Sequence, residues 1–182
     1  ASGIGTNSLT LNGASGITVQ SDSGANTIST NVVLGASQSW TNNSGSLLTV
    51  SGSTVTGPAL NLTVAGTGNT TITAAIQTTT GTLTKSDAGI LTLSGANTYS
   101  GNTDINGGTL QLGSGSTTGT LNTSSAIAVA SGATFAVNRS NPVTQGTDFS
   151  GAAITGAGGF TQAGTGTTTL NAANTYSGTT TV

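Results

Sequence analysis

The side chains able to carry acid–base or nucleophilic chemistry are few in this 182-residue sequence, which has no histidine and no cysteine. Its charged residues are Asp22, Asp87, Asp104, Asp148, Lys85 and Arg139. A serine or threonine nucleophile needs a neighbouring base that titrates near neutral pH, usually histidine, so Ser-His-Asp catalysis is excluded. The aspartates are scattered along the chain and predict no acid–base pair. We therefore predict no catalytic residue and a chain that is not an enzyme.

Metal and cofactor chemistry also lacks its usual residues. A calcium-binding β-roll needs a recurring Gly-Gly-x-Gly-x-Asp, and no aspartate follows the glycine-rich segment 156–159 at that spacing. Lys85 and Asp87 suggest an ion pair or an isopeptide bond, but an isopeptide bond needs a further carboxylate and none lies nearby in the sequence. We interpret Lys85 and Asp87 as a solvated turn pair. We predict no metal site and no cofactor.

Binding chemistry has two candidate sources, charge and aromatic rings. With a net charge of −2 and two cations, the chain has no basic patch for nucleic acid. No apolar run approaches the roughly 18 residues of a membrane span, so we predict no membrane insertion. Trp40, Tyr99, Tyr176 and the phenylalanines either stack on glycans or pack over turns, and we favour packing. We interpret Asn97 and Asn174 as corner residues that adopt the left-handed conformation or form hydrogen-bonded ladders.

The elements that must position these residues are short β-strands. Only 33% of the residues are hydrophobic, and the abundance of threonine, glycine and asparagine suits many short strands joined by tight turns. The alternation of apolar and polar residues predicts strands at 8–11, 17–19, 47–50, 60–64, 70–73, 90–93, 109–112, 127–129 and 134–137. Such closely spaced strands fit a sandwich, a barrel or a solenoid.

An internal repeat favours the solenoid. Residues 83–105 align without gaps to residues 160–182, and both copies contain Ala-Asn-Thr-Tyr-Ser-Gly. The offset between the copies corresponds to roughly three or four coils of about 20 to 25 residues, the usual size in a three-sided β-helix. Sandwiches rarely repeat their own sequence, whereas each coil of a solenoid meets the same environment above and below. We predict an all-β chain of stacked coils with Leu, Ile and Val in inward columns.

The stretch 81–112, GTLTKSDAGILTLSGANTYSGNTDINGGTLQL, resembles the autotransporter-associated β-strand repeat, also called the passenger-associated transport repeat. A second copy spans 158–182 and ends before the Gly-Thr-Leu strand of that pattern. The departures from the pattern are Asp87, Ile90, Gln162, Ala163 and Ala172. At the first two positions the pattern usually has Gly and Thr. The resemblance implies a right-handed parallel β-helix in a passenger segment exported to a bacterial cell surface.

We therefore predict one β-solenoid segment over residues 1–182. Its parts are spacer coils (1–80), a full repeat (81–112), further spacer coils (113–157) and a second, truncated repeat (158–182). The coil register of residues 1–33 is not predicted, because no full copy of the motif occurs there.

The functional hypothesis is a non-catalytic structural segment, a stalk or fibre of a bacterial surface or released protein. Its expected partners are copies of itself, stacked end to end by strand continuation, or the rest of a longer surface protein. The alternative is an adhesin or autoaggregation module that binds glycans, cell surfaces or itself. A polysaccharide-cleaving β-helix is more remote, because such enzymes cluster carboxylates with Lys or Arg. The expected location is extracellular or on the bacterial cell surface, either anchored to the outer membrane through regions outside this chain or released.

Overall fold

The computed structural model describes residues 7–182, and this part of the chain forms a β-solenoid of about 8 turns. Its strands pair only in parallel, each with the strand above or below it in the stack. The chain passes from a first face to a second and a third, and then begins the next coil. The predicted all-β fold of stacked coils is confirmed.

The strands fall into three long sheets and one short one. The first sheet contains β1 (Ser8–Leu11), β4 (Asn31–Leu34), β7 (Thr54–Thr56) and β10 (Ala75–Gln77). The second contains β2 (Ile17–Val19), β5 (Gln38–Asn42), β8 (Leu62–Ala65), β11 (Leu83–Lys85), β13 (Thr103–Ile105) and β15 (Ile127–Val129). The third contains β3 (Asn26–Ile28), β6 (Leu48–Val50), β9 (Thr70–Ile72), β12 (Ile90–Leu93), β14 (Thr109–Leu112), β16 (Thr134–Val137), β18 (Gly159–Gln162) and β20 (Thr180–Thr181). In the later coils β17 (Val143–Thr144) and β19 (Thr168–Thr169) pair with each other and form the short sheet.

The coils differ in length. In the third sheet Leu91 pairs with Leu110, and Leu110 pairs with Phe135. More residues separate Leu110 from Phe135 than separate Leu91 from Leu110, so the second of these two coils is the longer one. The additional residues lie in the loops between strands, because the strands themselves stay short throughout. The core therefore keeps a constant cross-section while the loops vary.

The core consists of columns of inward side chains that the strand alternation stacks on one another. On the third sheet Leu48, Thr70, Leu91, Leu110 and Phe135 occupy successive levels of one column. The buried apolar residues form a single cluster from Val32 to Phe160. Burial of apolar surface at about 25 cal/mol per Å² drives this stacking, although the chain is poor in large apolar residues.

No helix within residues 7–182 has the length and apolarity needed to cross a membrane.

Candidate functional site

Lys85 is buried, so the interpretation of Lys85 and Asp87 as a solvated turn pair is wrong for Lys85, whereas Asp87 is exposed in the turn. The Lys85 side chain points inward from β11, level with Val64 below and Ile105 above, and it is 2% exposed. The Nζ atom donates to the carbonyl oxygens of Ser86 and, at 2.8 Å, of Asp87. Burial lowers the pKa of Lys85, and the nearby Asp87 carboxylate opposes that shift. The aliphatic stem thus fills the core column while the ammonium group satisfies turn carbonyls.

Asp87 shapes the turn that follows β11. Its φ angle is 60°, in the left-handed region that glycine adopts most easily and that aspartate tolerates better than most residues. Its Oδ2 accepts a hydrogen bond from the backbone N–H of Gly66 at 2.9 Å, in the coil below. The left-handed φ angle explains why the repeat pattern usually has glycine at this position. In this chain the hydrogen bond to Gly66 compensates for the less favourable backbone conformation of aspartate.

Arg139 and Asp148 form a partly buried ion pair that could not be predicted from the sequence. The Arg139 Nη1 atom lies 2.9 Å from Asp148 Oδ1 and also donates to the Gly119 carbonyl at 3.1 Å. Arg139 is 4% exposed. The two residues lie in irregular segments without apolar alternation, so no periodic signal marks them. Across residues 7–182, no three side chains of His, Cys, Asp or Glu lie together as potential metal ligands.

The aromatic residues mostly lie in the core, which confirms packing over glycan stacking for Trp40, Tyr99, Phe135 and Phe149, each 0% exposed. The ring of Phe135 lies 5.5 Å from that of Phe149 and 6.0 Å from that of Phe160, between centroids. Such tilted and edge-on contacts are favourable for aromatic pairs. These rings therefore stabilise the later coils from inside.

The first Ala-Asn-Thr-Tyr-Ser-Gly copy is built around buried hydroxyl contacts. The Tyr99 hydroxyl hydrogen-bonds to Thr103 Oγ1 at 2.8 Å, and Thr103 Oγ1 hydrogen-bonds to Ser125 Oγ in the next coil at 2.8 Å. Burial raises the pKa of Tyr99, so the phenol stays neutral and available for these contacts. The tyrosine thus ties its own corner to the coil above.

Asn97 of the same copy bridges three coils. Its Oδ1 accepts a hydrogen bond from the Ile76 N–H at 3.0 Å, and its Nδ2 donates to the Thr120 carbonyl at 2.9 Å. The partners are backbone groups of the coils below and above, so the predicted ladder of like side chains is wrong at Asn97. The left-handed prediction is also wrong for Asn97 and Asn174. Among residues 7–182, the non-glycine residues with positive φ are Ala59, Thr79 and Asp87.

The second copy repeats two of these contacts. The Tyr176 hydroxyl hydrogen-bonds to Thr180 Oγ1 at 2.7 Å, and Asn174 Oδ1 accepts from the Ile154 N–H at 2.7 Å. The Asn174 Nδ2 atom differs in one partner, because it donates to the Gln145 side chain at 2.9 Å. Both copies therefore share the tyrosine–threonine contact and the asparagine contact with the coil below.

Each copy also contains two glycines that lie against each other in successive coils. A Cβ added at Gly101 would lie 2.3 Å from the Gly81 carbonyl oxygen, and one at Gly178 would lie 2.4 Å from that of Gly158. These glycines permit close contact between successive coils. The strands agree, because Leu83 pairs with Thr103 and Phe160 pairs with Thr180, at the same separation in sequence.

The passenger-associated-transport-repeat family model matches residues 83–112 and 160–182. The chain carries two passenger-associated transport repeats. Such repeats indicate an autotransporter-type protein that is secreted or located on the surface, and their family is not a known catalytic one. No curated protein and no solved structure matches the chain.

The two passenger-associated transport repeats lie on different faces of the solenoid. The first begins with β11 in the second sheet, whereas the second begins with β18 in the third sheet. The Ala-Asn-Thr-Tyr-Ser-Gly corner of the first repeat stacks on Ile76 of the first sheet, since the Thr98 N–H donates to the Ile76 carbonyl. The corner of the second repeat stacks on Ile154, which lies next to the bridge between Thr155 and Ala128 of the second sheet. The second repeat is therefore rotated by one face about the solenoid axis.

Proposed function

We propose that this chain is a non-catalytic structural segment of an autotransporter-type passenger, a rod that spaces or displays other parts of a surface protein. The rotation of the second repeat by one face carries this proposal. A repeat that binds a ligand along the solenoid would present its side chains in one row, as residues in register do. Here the shared residues turn to different sides and make contacts between coils.

The construction of the core supports a stiff rod. About 8 turns with a spacing of about 4.8 Å per strand give a length on the order of 40 Å. Every level is tied to the next by parallel backbone hydrogen bonds and by the columns of buried side chains. Bending the rod would break both sets of contacts at once, so the segment resists bending.

Copies of the same segment are the partner that this architecture fits best. The ladder is in register and parallel on all faces, so a coil of another copy offers the same hydrogen-bonding pattern as the next coil of the same chain. The near absence of exposed cations and the low net charge of −2 leave little repulsion between copies. End-to-end stacking is therefore part of the proposal.

Electron microscopy and analytical ultracentrifugation over a range of concentrations test the rod and its stacking. We expect rods about one solenoid wide that lengthen with concentration and show an axial repeat of about 4.8 Å in diffraction. Rods of constant length would contradict the stacking, and compact particles would contradict the rod. Turnover of acidic polysaccharides, assayed with and without calcium, would contradict the non-catalytic role.

A further inference from the structure

The chain has two peptide bonds that a protease specific for lysine and arginine can cut, because Lys85 and Arg139 are its only cations. At the first bond, the Ser86 N–H donates to the Val64 carbonyl at 2.9 Å in the coil below. The Lys85 carbonyl accepts from the Asn106 N–H at 2.8 Å in the coil above. Both polar groups of the Lys85–Ser86 bond are therefore engaged between coils.

The second bond, Arg139–Ser140, is engaged in the same way. The Ser140 N–H donates to the Ser116 carbonyl at 2.9 Å, and the Arg139 carbonyl accepts from the Gly166 N–H at 2.9 Å. Peptide segments are commonly recognised through these backbone groups, by addition of the extended segment to a sheet edge. A protease therefore has to break contacts with two coils before it can bind either site.

The side chains are withheld as well. Lys85 and Arg139 are 2% and 4% exposed, so neither can enter a specificity pocket while the coils are stacked. The contacts of Arg139 can be removed one at a time by mutation. Its guanidinium group binds Asp148 and donates to the Asn141 Oδ1 atom at 3.1 Å. Asp148 in turn accepts from the Thr144 N–H at 2.8 Å. The ion pair therefore holds the segment 139–148 closed.

We propose that the Arg139–Asp148 ion pair is a latch that holds the irregular segment 139–148 against the loops of the adjacent coils. Opening the latch lets this segment separate locally from those loops and exposes the chain's only arginine to proteases before the rod unfolds. Lys85 has no equivalent latch, because it lies in a regular strand whose exposure requires separation of whole coils. The latch is independent of the stalk role. It gives the solenoid a local weak point with a defined cleavage site.

Limited trypsin digestion followed by intact-mass measurement tests the latch. We expect the folded wild-type chain to stay whole, and the urea-unfolded chain to be cut after both Lys85 and Arg139. In Asp148→Asn the arginine loses its charged partner, so we expect cleavage after Arg139 to accelerate roughly tenfold or more while Lys85 stays uncut. Asn141→Ala removes a single contact and should give a smaller acceleration at the same bond.

Thr117→Lys supplies the matched control, because residue 117 is exposed in the loop that Arg139 contacts. This variant should be cut after residue 117 in the folded state, which shows that the protease reaches the loop. If the folded wild type is cut after Arg139 as fast as this control is cut after residue 117, Arg139 is accessible in the folded chain and the proposal is wrong. Equal cutting after Lys85 and Arg139 in both Asp148→Asn and Asn141→Ala would show global unfolding and overturn the latch.

Discussion

Thr70 places a hydroxyl in an apolar column. It is level with Leu48 below and Leu91 above, and its Oγ1 is the one buried side-chain N or O atom in residues 7–182 without a hydrogen-bond partner. A buried polar group without a partner loses its hydration and gains nothing in return. The core is therefore less stable at this level than an all-apolar column would be.

Thr70→Val replaces the hydroxyl with a methyl group of similar size. We expect the free energy of unfolding to rise by about 1 kcal/mol, because the unpaired hydroxyl is removed without leaving a cavity. Urea unfolding followed by circular dichroism measures the change. Thr71→Val alters the adjacent, outward-facing residue and should stay within about 0.5 kcal/mol of wild type. A destabilised Thr70→Val would mean that the hydroxyl has a partner.

Lys85 predicts a pH dependence in the alkaline range. Its pKa is lowered in the folded state, so the cost of burying the ammonium group is fully present below that lowered pKa. As the pH rises from there to the ordinary value of 10.5, the cost disappears. The wild type should therefore gain stability over this interval relative to Lys85→Gln.

Glutamine is the matched replacement, because Gln162 holds the aligned position in the second repeat and donates to the carbonyls of Gly164 and Gly166 at 3.0 and 2.8 Å. Urea unfolding of both proteins at a series of pH values gives the difference in their free energies of unfolding. Titration of Tyr99 contributes equally to both proteins and therefore does not affect this difference. Parallel stability curves would argue that Lys85 is solvated in the folded state.

The first repeat contains one complete coil and part of the next. Gly101 lies against Gly81, one coil earlier in the same repeat. Strand β13 pairs with β11 and β14 pairs with β12, so these strand pairs also lie within the repeat. A repeat therefore needs neighbours above and below, but its internal contacts do not depend on which neighbours these are.

Gly101→Ala tests this contact. The added Cβ would meet the backbone of Gly81 and Thr80, which cannot move aside without separating two coils. We expect a loss of about 1–3 kcal/mol in the free energy of unfolding. Gly45→Ala is the control, because a Cβ there meets no atom within 4 Å and the φ angle is not positive. Thermal unfolding that shifts equally in both variants would contradict close stacking at Gly101.

The strands with the clearest alternation of inward and outward residues, such as β6, β12 and β14, could be predicted from the sequence. More than half of the strands were not predicted, among them the two-residue strands β17, β19 and β20. Strand β3 (Asn26–Ile28) was also missed, since its residues are mostly polar and it exists because β6 pairs with it. Lys85 and the Arg139–Asp148 pair were missed for a related reason. Their burial depends on hydrogen-bond partners in other coils, and alternation within one strand carries no information about those partners.

At the scale of the whole molecule, one continuous core couples each coil to its two neighbours. Stability in such arrays is a sum of terms within coils and between adjacent coils. Damage to one level should therefore spread to the adjacent levels before it reaches distant ones. This differs from a compact domain, in which all parts of the core share contacts.

Leu91→Ala should show this spread. Leu91 is fully buried between Thr70 and Leu110, so we expect a loss of about 2–5 kcal/mol. In hydrogen exchange, protection should fall most in β9, β12 and β14 and least near β1. Ile90→Thr changes the neighbouring residue, which is 38% exposed, to the usual residue of the repeat pattern, and should alter protection little. Uniform loss of protection in Leu91→Ala would contradict coupling between nearest neighbours.

Because the second repeat is rotated, the number of residues between the two repeats does not by itself give their angular positions around the solenoid axis. From β11 to β18 the chain completes three coils and then advances by one face. The number of faces that the chain passes between the repeats, and not the number of residues, therefore sets the face on which the second repeat begins. Insertions within a loop lengthen a coil without turning the copies, as the longer step from Leu110 to Phe135 shows. Gain or loss of a segment that covers one face would rotate one copy of the motif relative to the other, while each copy keeps its internal contacts.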